Sequence, residues 1–302
     1  MSICIATIAY CIVLNVIAHA VEIETGFPTA CGIPNFKREY KEEAESMKAI
    51  ATKNSWPWHV GLRSTRLGSF PFCGGTIISN TLILTSAHCL TLHFACIKFT
   101  VGIEFRVFGA TPYLLQVHAG AHDFTSISCF DQILTVESAI VHPKFNQDAS
   151  YEGYDIAILK VLGKITISDR VKPICFPSSH VNLQRGSLCF FAGWGNIPLK
   201  NGMYTPKVLR EGQIEIDNDE YCDRLYLMYN NDHHSCIKTH GTNPCSGDSG
   251  GGLFCPSEDN DSWFWYGMIR SGSDDCLADW AIVNKISAEH SWIKDTAKVF
   301  GL

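Results

Sequence analysis

The chain has 302 residues, of which 46% are hydrophobic and 18% are charged, and its formal net charge is -6. A composition this apolar excludes a disordered chain, and the length fits one large domain or two fused halves. The negative charge and the lack of lysine- or arginine-rich runs argue against nucleic acid as a partner.

The first 20 residues predict a secretory signal peptide. The apolar run 3–20 ends in Ala18-His19-Ala20, a small-x-small pattern typical of a cleavage site, and it is short for a membrane span. It lacks a basic start, so an uncleaved anchor stays an alternative. Removing the run takes two of the 14 cysteines and leaves an even number, as disulfide-bonded exported proteins have. We expect a secreted, extracellular protein with no membrane span in the mature chain.

Short apolar runs separated by glycine and proline predict an all-β fold rather than an α/β sheet. Strands are expected at 136–141, 156–161, 187–192 and 263–269. Two β-barrels should join within 164–186. Helical spacing is clear only near the C-terminus, where Ser287 can cap a helix in which Trp292, Ile293 and Ala297 recur.

A serine between glycines, in the segment CSGDSGGG at 245–252, suggests a nucleophile. Glycine lets the backbone approach a substrate closely, and the amides of Gly247 and Ser249 are spaced to stabilise an oxyanion. A serine hydroxyl needs a base and an orienting carboxylate. His88 follows an apolar strand, where we expect a loop, and Asp155 precedes an apolar run. These residues supply the two missing groups.

The order His88, Asp155, Ser249 resembles that of the chymotrypsin/trypsin-like serine proteases, and the resemblance extends from about Cys31 to the C-terminus. Further segments match in the same order: SWPW at 55–58, FCGG at 72–75, AGWG at 192–195 and SWI at 291–293.

The resemblance implies two six-stranded antiparallel β-barrels with a C-terminal helix, and it divides the chain into three parts. Residues 1–20 are the signal peptide, 21–48 are a propeptide-like segment tethered by Cys31, and 49–302 are the protease domain. It also implies five disulfide bonds: Cys31–Cys175, Cys73–Cys89, Cys189–Cys255, Cys222–Cys236 and Cys245–Cys276. The two cysteines that remain after the signal peptide is removed are paired by elimination as Cys96–Cys129.

The activation site departs from the family pattern. In the family, a new Ile-Val terminus pairs its ammonium with the acid before the nucleophile, which here is Asp248, but no basic-then-Ile-Val junction exists in this chain. Because an unpaired buried carboxylate is costly, Asp248 needs another cation. Cleavage after Lys48 would expose Ala49 as one candidate, and the side chain of Arg210 is the other.

The substrate pocket also departs from the pattern. Asn243 stands at the pocket floor where trypsin-like members carry Asp, Ala281 replaces a wall glycine, and Gly272 matches a wall residue that must stay small. This pocket favours an uncharged P1 side chain. Arg270 occupies the place of a serine that bonds the triad carboxylate, unless Arg270 is an insertion and Ser271 takes that place.

Other sequence features carry weaker expectations. His88 and Asp155 lie 67 positions apart, and the surplus at 91–115 is either a rigid specificity loop or a tolerated surface insertion. The polar segment Asp232-His233-His234, with His240, is more consistent with solvated side chains than with a metal site. Ala121 argues against a calcium loop, so no cofactor is expected. The sequence Asn260-Asp261-Ser262 is an N-glycosylation acceptor.

We therefore expect a secreted serine endopeptidase that forms an acyl-enzyme on Ser249, with neutral P1 specificity. Its partners would be protein or peptide substrates and macromolecular protease inhibitors. Two alternatives remain, because the activation terminus is missing: a catalytically silent binding or decoy protein, and a zymogen that a partner activates.

Overall fold

A computed structural model describes residues 21–39, 48–95, 97–126, 128–148, 154–227, 229–258, 262–271 and 275–302. Its strands are β1 (Ala49–Ile50), β2 (His59–Ser64), β3 (Cys73–Ile77), β4 (Leu82–Thr85), β5 (Phe105–Arg106), β6 (Leu115–Ala119), β7 (Gln132–Val141), β8 (Ala157–Val161), β9 (Leu188–Gly193), β10 (Ile197–Leu199), β11 (Gly202–Tyr204), β12 (Arg210–Ile216), β13 (His234–Lys238), β14 (Gly252–Pro256), β15 (Trp263–Ser271) and β16 (Trp280–Lys285). Its helices are α1 (Ala87–Phe94), α2 (Asp219–Leu225) and α3 (Ile286–Val299).

The strands form two closed antiparallel barrels of six strands each, as predicted. The first runs in the order β7-β6-β2-β3-β4-β8 and closes through β7 and β8, with β5 added at the edge of β7. The second runs β12-β13-β16-β15-β14-β9 and closes through β12 and β9, with β1 paired to β12. The short strands β10 and β11 form a separate hairpin.

Apolar side chains fill both barrels. One cluster occupies the first barrel and includes Val60, Val117 and Leu159, none of which has measurable solvent exposure. The second cluster fills the other barrel and continues across the junction, where Ile78 and Ile158 of the first barrel contribute to it. Burying this much apolar surface is the main force that holds the halves together.

The helices correct two sequence expectations. The chain after β4 turns directly into helix α1, so His88 lies near a helix start and not in a loop. Helix α3 begins at Ile286 with Lys285 as its N-cap residue, so Ser287 lies inside the helix and does not cap it. Trp292, which the sequence placed on this helix, packs against the second apolar cluster.

The N-terminal segment 21–39 packs against the second barrel. Cys31 is bonded to Cys175, the ring of Phe27 stacks on Phe176 at 4.2 Å, and the amide of Trp263 donates to the carbonyl of Gly32 at 2.8 Å. These contacts tether the segment independently of any cut between residues 39 and 48.

The insertion 91–115 is partly integrated into the first barrel. Phe94, Phe99 and Phe105 form an aromatic cluster with ring centroids 5.2–6.0 Å apart, and β5 pairs with β7. The predictions for residues 1–20, Cys96, Asn260 and Gly272 fall outside the described residues. No helix in the described ranges is long and apolar enough to cross a membrane.

Candidate active site

The pairing of β4 with β8 brings His88 to Asp155. Thr85 at the end of β4 lies opposite Ala157 at the start of β8 in this antiparallel pair. His88 comes three positions after Thr85 and Asp155 two positions before Ala157, so both lie beyond the same end of the strand pair. The Nδ1 atom of His88 lies 2.7 Å from Oδ2 of Asp155, and the backbone amide of His88 donates to Oδ1 at 2.8 Å. The carboxylate therefore fixes both the ring and the main chain of His88.

Charge and burial shift the pKa values of His88 and Asp155 in opposite directions. Burial lowers the pKa of His88, but the charge and hydrogen bond of Asp155 raise it by more, so the imidazole pKa lies above its ordinary value. Burial likewise raises the pKa of Asp155, and the contacts with His88 together with the charge of Arg270 lower it by more. The pair therefore suits a histidine that accepts a proton while Asp155 stays ionised.

Ser249 lies beside the start of helix α1. Its carbonyl accepts a hydrogen bond from the amide of Gly74 at 2.8 Å, and the Sγ atom of Cys89 lies 3.8 Å from the same oxygen. The Ser249 hydroxyl donates to the carbonyl of Arg270 at 3.3 Å. No hydrogen bond joins it to His88, a gap common in catalytic sites without substrate.

The backbone amides of Gly247 and Ser249 are available to bind an oxyanion. Within the described residues, neither the N–H of Gly247 nor that of Ser249 has a hydrogen-bond acceptor. Gly247 has a φ of +101°, a conformation that residues with a side chain rarely adopt. The turn is closed by the amide of Asp248, which donates to the carbonyl of Cys245 at 2.9 Å. This arrangement resembles the donor pair that stabilises a tetrahedral intermediate.

The cation that faces Asp248 is the side chain of Lys48, whereas the two sequence candidates were the Arg210 side chain and an Ala49 terminus exposed by cleavage after Lys48. The Nζ atom of Lys48 lies 2.6 Å from Oδ2 of Asp248, and neither side chain is exposed to solvent. Arg210 instead donates from Nη1 to the backbone carbonyl of Lys48 at 3.2 Å. Sequence reasoning considered Lys48 only as a cleavage site, because nothing in its local sequence distinguishes a buried lysine from a surface one.

Two glycines give Asp248 the space it occupies. A Cβ atom on Gly193 or Gly195 would overlap the Asp248 carboxylate, so each position admits no side chain without a shift. The amide of Gly195 also donates to Oδ1 of Asp248 at 2.9 Å. The segment AGWG at 192–195, which the sequence matched as a family motif, therefore has a physical role in receiving this carboxylate.

Arg270 sits in a β-bulge close to Asp155. Strand β15 has one more residue than its partner between Ile269 and Ser271, so Arg270 is the extra residue. Its guanidinium is buried and contacts Nε2 of His234. Burial lowers the pKa of Arg270 and Asp155 raises it in part, while burial and the nearby Arg270 charge lower the pKa of His234 to about 3. The neutral His234 ring accepts a hydrogen bond at Nδ1 from the amide of Asn230 at 3.0 Å, so its proton lies on Nε2, the atom that faces Arg270.

The residues predicted for the substrate pocket are buried where the structure describes them. Asn243 is 1% exposed and donates from its side-chain amide to the carbonyl of Ala278. The Oδ1 atom of Asn243 has no hydrogen-bond partner among the described residues. Ala281 is fully buried on β16, and the Cys245–Cys276 bond joins the two segments behind Ser249.

Five of the six predicted disulfide bonds are present in the described residues: Cys31–Cys175, Cys73–Cys89, Cys189–Cys255, Cys222–Cys236 and Cys245–Cys276. Cys129 is exposed and bonds no described cysteine, and its predicted partner Cys96 lies outside the described residues.

The histidines that the sequence weighed as metal ligands have other contacts. His233 lies 3.3 Å from the carboxylate of Glu289, and His240 lies 3.1 Å from that of Glu215. Among the described residues, one group has the spacing of metal ligands, and it combines His88 with Cys73 and Cys89. Those two cysteines form a disulfide bond, so their sulfur atoms are not thiolate ligands.

The sequence is similar to those of known proteins over most of its length. The Trypsin family model matches residues 48–293, which is most of the chain. The chain belongs to the trypsin-like serine protease family. It is 32% identical to a tryptase of Mus musculus over 72% of this chain and 76% of that protein, and 28% identical to serine protease 28 of Mus musculus over 79% and 83%. It is also 28% identical to an ovochymase of Halocynthia roretzi, where the match covers 83% of this chain but only 15% of that longer protein.

Proposed function

We propose that the protein is a secreted serine endopeptidase that cleaves peptide bonds through an acyl-enzyme on Ser249. The observation that carries this proposal is the part-buried His88–Asp155 pair beside Ser249, where the amides of Gly247 and Ser249 have no acceptor among the described residues. Family membership and five disulfide bonds support an extracellular protease acting on protein or peptide substrates.

The proposed reaction follows from the positions of these groups. Nε2 of His88 takes the proton from the Ser249 hydroxyl as Oγ attacks the substrate carbonyl carbon. The amides of Gly247 and Ser249 hold the resulting oxyanion. When the intermediate collapses, the C–N bond breaks and the amine leaves with the proton from His88. Water then attacks the acyl-enzyme with His88 again as base, which releases the acid product and restores Ser249.

We further propose a neutral P1 preference. Asn243 supplies an amide where a carboxylate would attract Lys or Arg, and Ala281 replaces the wall glycine of the family pattern. The buried Oδ1 atom of Asn243 has no described partner, so a P1 side chain with a neutral hydrogen-bond donor would satisfy it.

The test is cleavage of a peptide library by the secreted protein and its variants. We expect neutral P1 residues to be cut faster than Lys or Arg, and Asn243→Asp to shift the preference toward the cations by about 10-fold or more. Ser249→Ala should lower kcat by several orders of magnitude. A wild-type preference for Arg would contradict the pocket assignment, and undiminished turnover by Ser249→Ala would contradict the proposed mechanism.

One observation favours the second candidate, a catalytically silent protease-fold binding protein. The Ser249 hydroxyl points to the carbonyl of Arg270 and not to His88, and Arg270 is the extra residue of a bulge. Deleting Arg270 separates the candidates. If the bulge blocks catalysis, the deletion variant should hydrolyse peptides that the wild type leaves intact.

A further inference from the structure

Lys48 is a lysine with no solvent-exposed side-chain surface. Burying an ammonium is costly unless close partners compensate for its lost hydration. Nζ donates to Oδ2 of Asp248 at 2.6 Å and to the carbonyl of Gly195 at 2.8 Å. The ammonium is therefore held between the residue before the nucleophile and the AGWG segment at 192–195.

The main chain from the Lys48 carbonyl onward is fixed as well. Arg210 donates to that carbonyl, and the next residues form β1, which pairs with β12 in the register Ala49 to Glu211. The amide of Ala51 donates to the carbonyl of Leu209 at 3.0 Å. The backbone after Lys48 is thus an edge of the second barrel in the uncut chain.

The Asp248 carboxylate connects Lys48 to the two amides of the proposed oxyanion hole, those of Gly247 and Ser249. Besides Lys48, it accepts hydrogen bonds from the amides of Cys245 and Gly195, each at 2.9 Å. Asp248 is the one residue between Gly247 and Ser249, whose N–H groups are free of described acceptors. Fixing its side chain by three donors fixes the direction of both amides.

We infer that Lys48 is the positioning residue whose side chain, through Asp248, keeps the amides of Gly247 and Ser249 oriented for oxyanion binding in the uncut chain. The inference rests on the proposed endopeptidase function and adds its regulation: the chain needs no cut after Lys48 to become active. A protease that recognises Lys48 at P1 also has no access to this side chain while it is buried. The cleavage alternative considered from the sequence is therefore replaced by an internal cation.

The experiment is fluorophosphonate labelling of the uncut wild-type chain and of three variants. Lys48→Met keeps an unbranched side chain that is one atom shorter and removes its charge, and Lys48→Arg keeps the charge. Lys53→Met is a matched control at an exposed lysine nearby. The labelled protein is reduced before its mass is measured, because the Cys31–Cys175 bond would otherwise hide a cut. Circular dichroism and thermal unfolding check that each variant is folded.

The uncut wild type should label at Ser249, and Lys53→Met should label at the same rate. Lys48→Met should label roughly 100-fold more slowly or worse, and Lys48→Arg should recover most of the loss, because a positive charge is what Asp248 requires. If Lys48 only filled space, the labelling rates of Lys48→Arg and Lys48→Met would not differ according to charge.

Four results would overturn the inference. Labelling of folded Lys48→Met at close to the wild-type rate would show that the ammonium is dispensable, and equal loss in Lys48→Arg and Lys48→Met would show that its charge does not matter. Wild-type labelling only in molecules cut after Lys48 would refute the inference and leave the proposed function standing. No wild-type labelling of uncut or cut chain would refute the proposed function and the inference together.

Discussion

Glu289 is a buried carboxylate between two histidines, and we expect its titration to make the free energy of unfolding depend on pH. The side chain of Glu289, on helix α3, is 4% exposed, with one oxygen 3.4 Å from Nε2 of His142 and the other 3.3 Å from Nδ1 of His233. The ring of Tyr154 packs against both histidines and immediately precedes Asp155. The cluster therefore joins both barrels and the C-terminal helix next to the proposed active site.

Protonation of Glu289 is favoured in the folded protein. Burial raises its pKa from 4.5 to about 7, against the opposing charge of Lys144. Because the folded state binds this proton more tightly than the unfolded state, the ionised carboxylate destabilises the fold fully above about pH 7, and the penalty disappears as pH falls below 4.5. A pKa difference of this size corresponds to about 3 kcal/mol.

The test variant is Glu289→Gln, which removes the titration and keeps the shape. His142 accepts a hydrogen bond at Nδ1 from the amide of Lys144, so its Nε2 carries the proton and can donate to a Gln oxygen as it does to Glu289. The Gln amide can then donate to Nδ1 of His233. We expect Glu289→Gln to be more stable than wild type at pH 8, by up to about 3 kcal/mol, with no advantage at pH 4.5.

Urea unfolding of the disulfide-intact protein at pH 8, 6 and 4.5 measures this difference. Glu220→Gln is the control, because that carboxylate is exposed and pairs with Arg224 on the surface of α2. Comparing each variant with wild type at the same pH also cancels the opposite effect of His142, whose pKa burial lowers to about 4. A lower stability of Glu289→Gln at pH 8, or a difference that does not change with pH, would refute the reasoning.

Three further predictions concern the proposed site and the disulfide framework. Gly195→Ala should fold but label at least roughly 100-fold more slowly with a fluorophosphonate, since the new Cβ would displace Asp248, and wild-type labelling would contradict this. The value of kcat/KM should rise with pH through a pKa above 6.5, because the pKa of His88 is raised, and a half-maximum below pH 6.5 would contradict that assignment. Peptide mapping without reduction should recover a Cys96–Cys129 peptide, whereas alkylation of Cys129 in the native protein would rule the bond out.

The fold was predictable because its signals are local or are carried by ordered motifs. Short apolar runs predicted β7, β8, β9 and β15, and each strand is present within a few residues of the expected range. The helical spacing of Trp292, Ile293 and Ala297 likewise predicted α3. The helix start was misjudged, because a serine near the first turn is a common cap, whereas here the strand β16 leads straight into the helix.

Contacts between distant parts of the chain were not predictable in the same way. Lys48 and Asp248 are 200 positions apart, and their pairing depends on where β1 joins β12. The sequence placed Arg210 close to the correct location, but that side chain reaches the carbonyl of Lys48 and not Asp248. Glu289 was missed because its histidine partners come from two other segments, and a single glutamate on an amphipathic helix usually faces solvent.

The most direct test of the central proposal is to trap the acyl-enzyme. The uncut chain is mixed with a p-nitrophenyl ester, quenched in acid within the first turnover, and digested for mass spectrometry. The account predicts a burst of nitrophenol, with the acyl group on the peptide that contains Ser249, and neither signal in Ser249→Ala or His88→Ala. An acyl group on another residue, or hydrolysis that persists in Ser249→Ala, would contradict it.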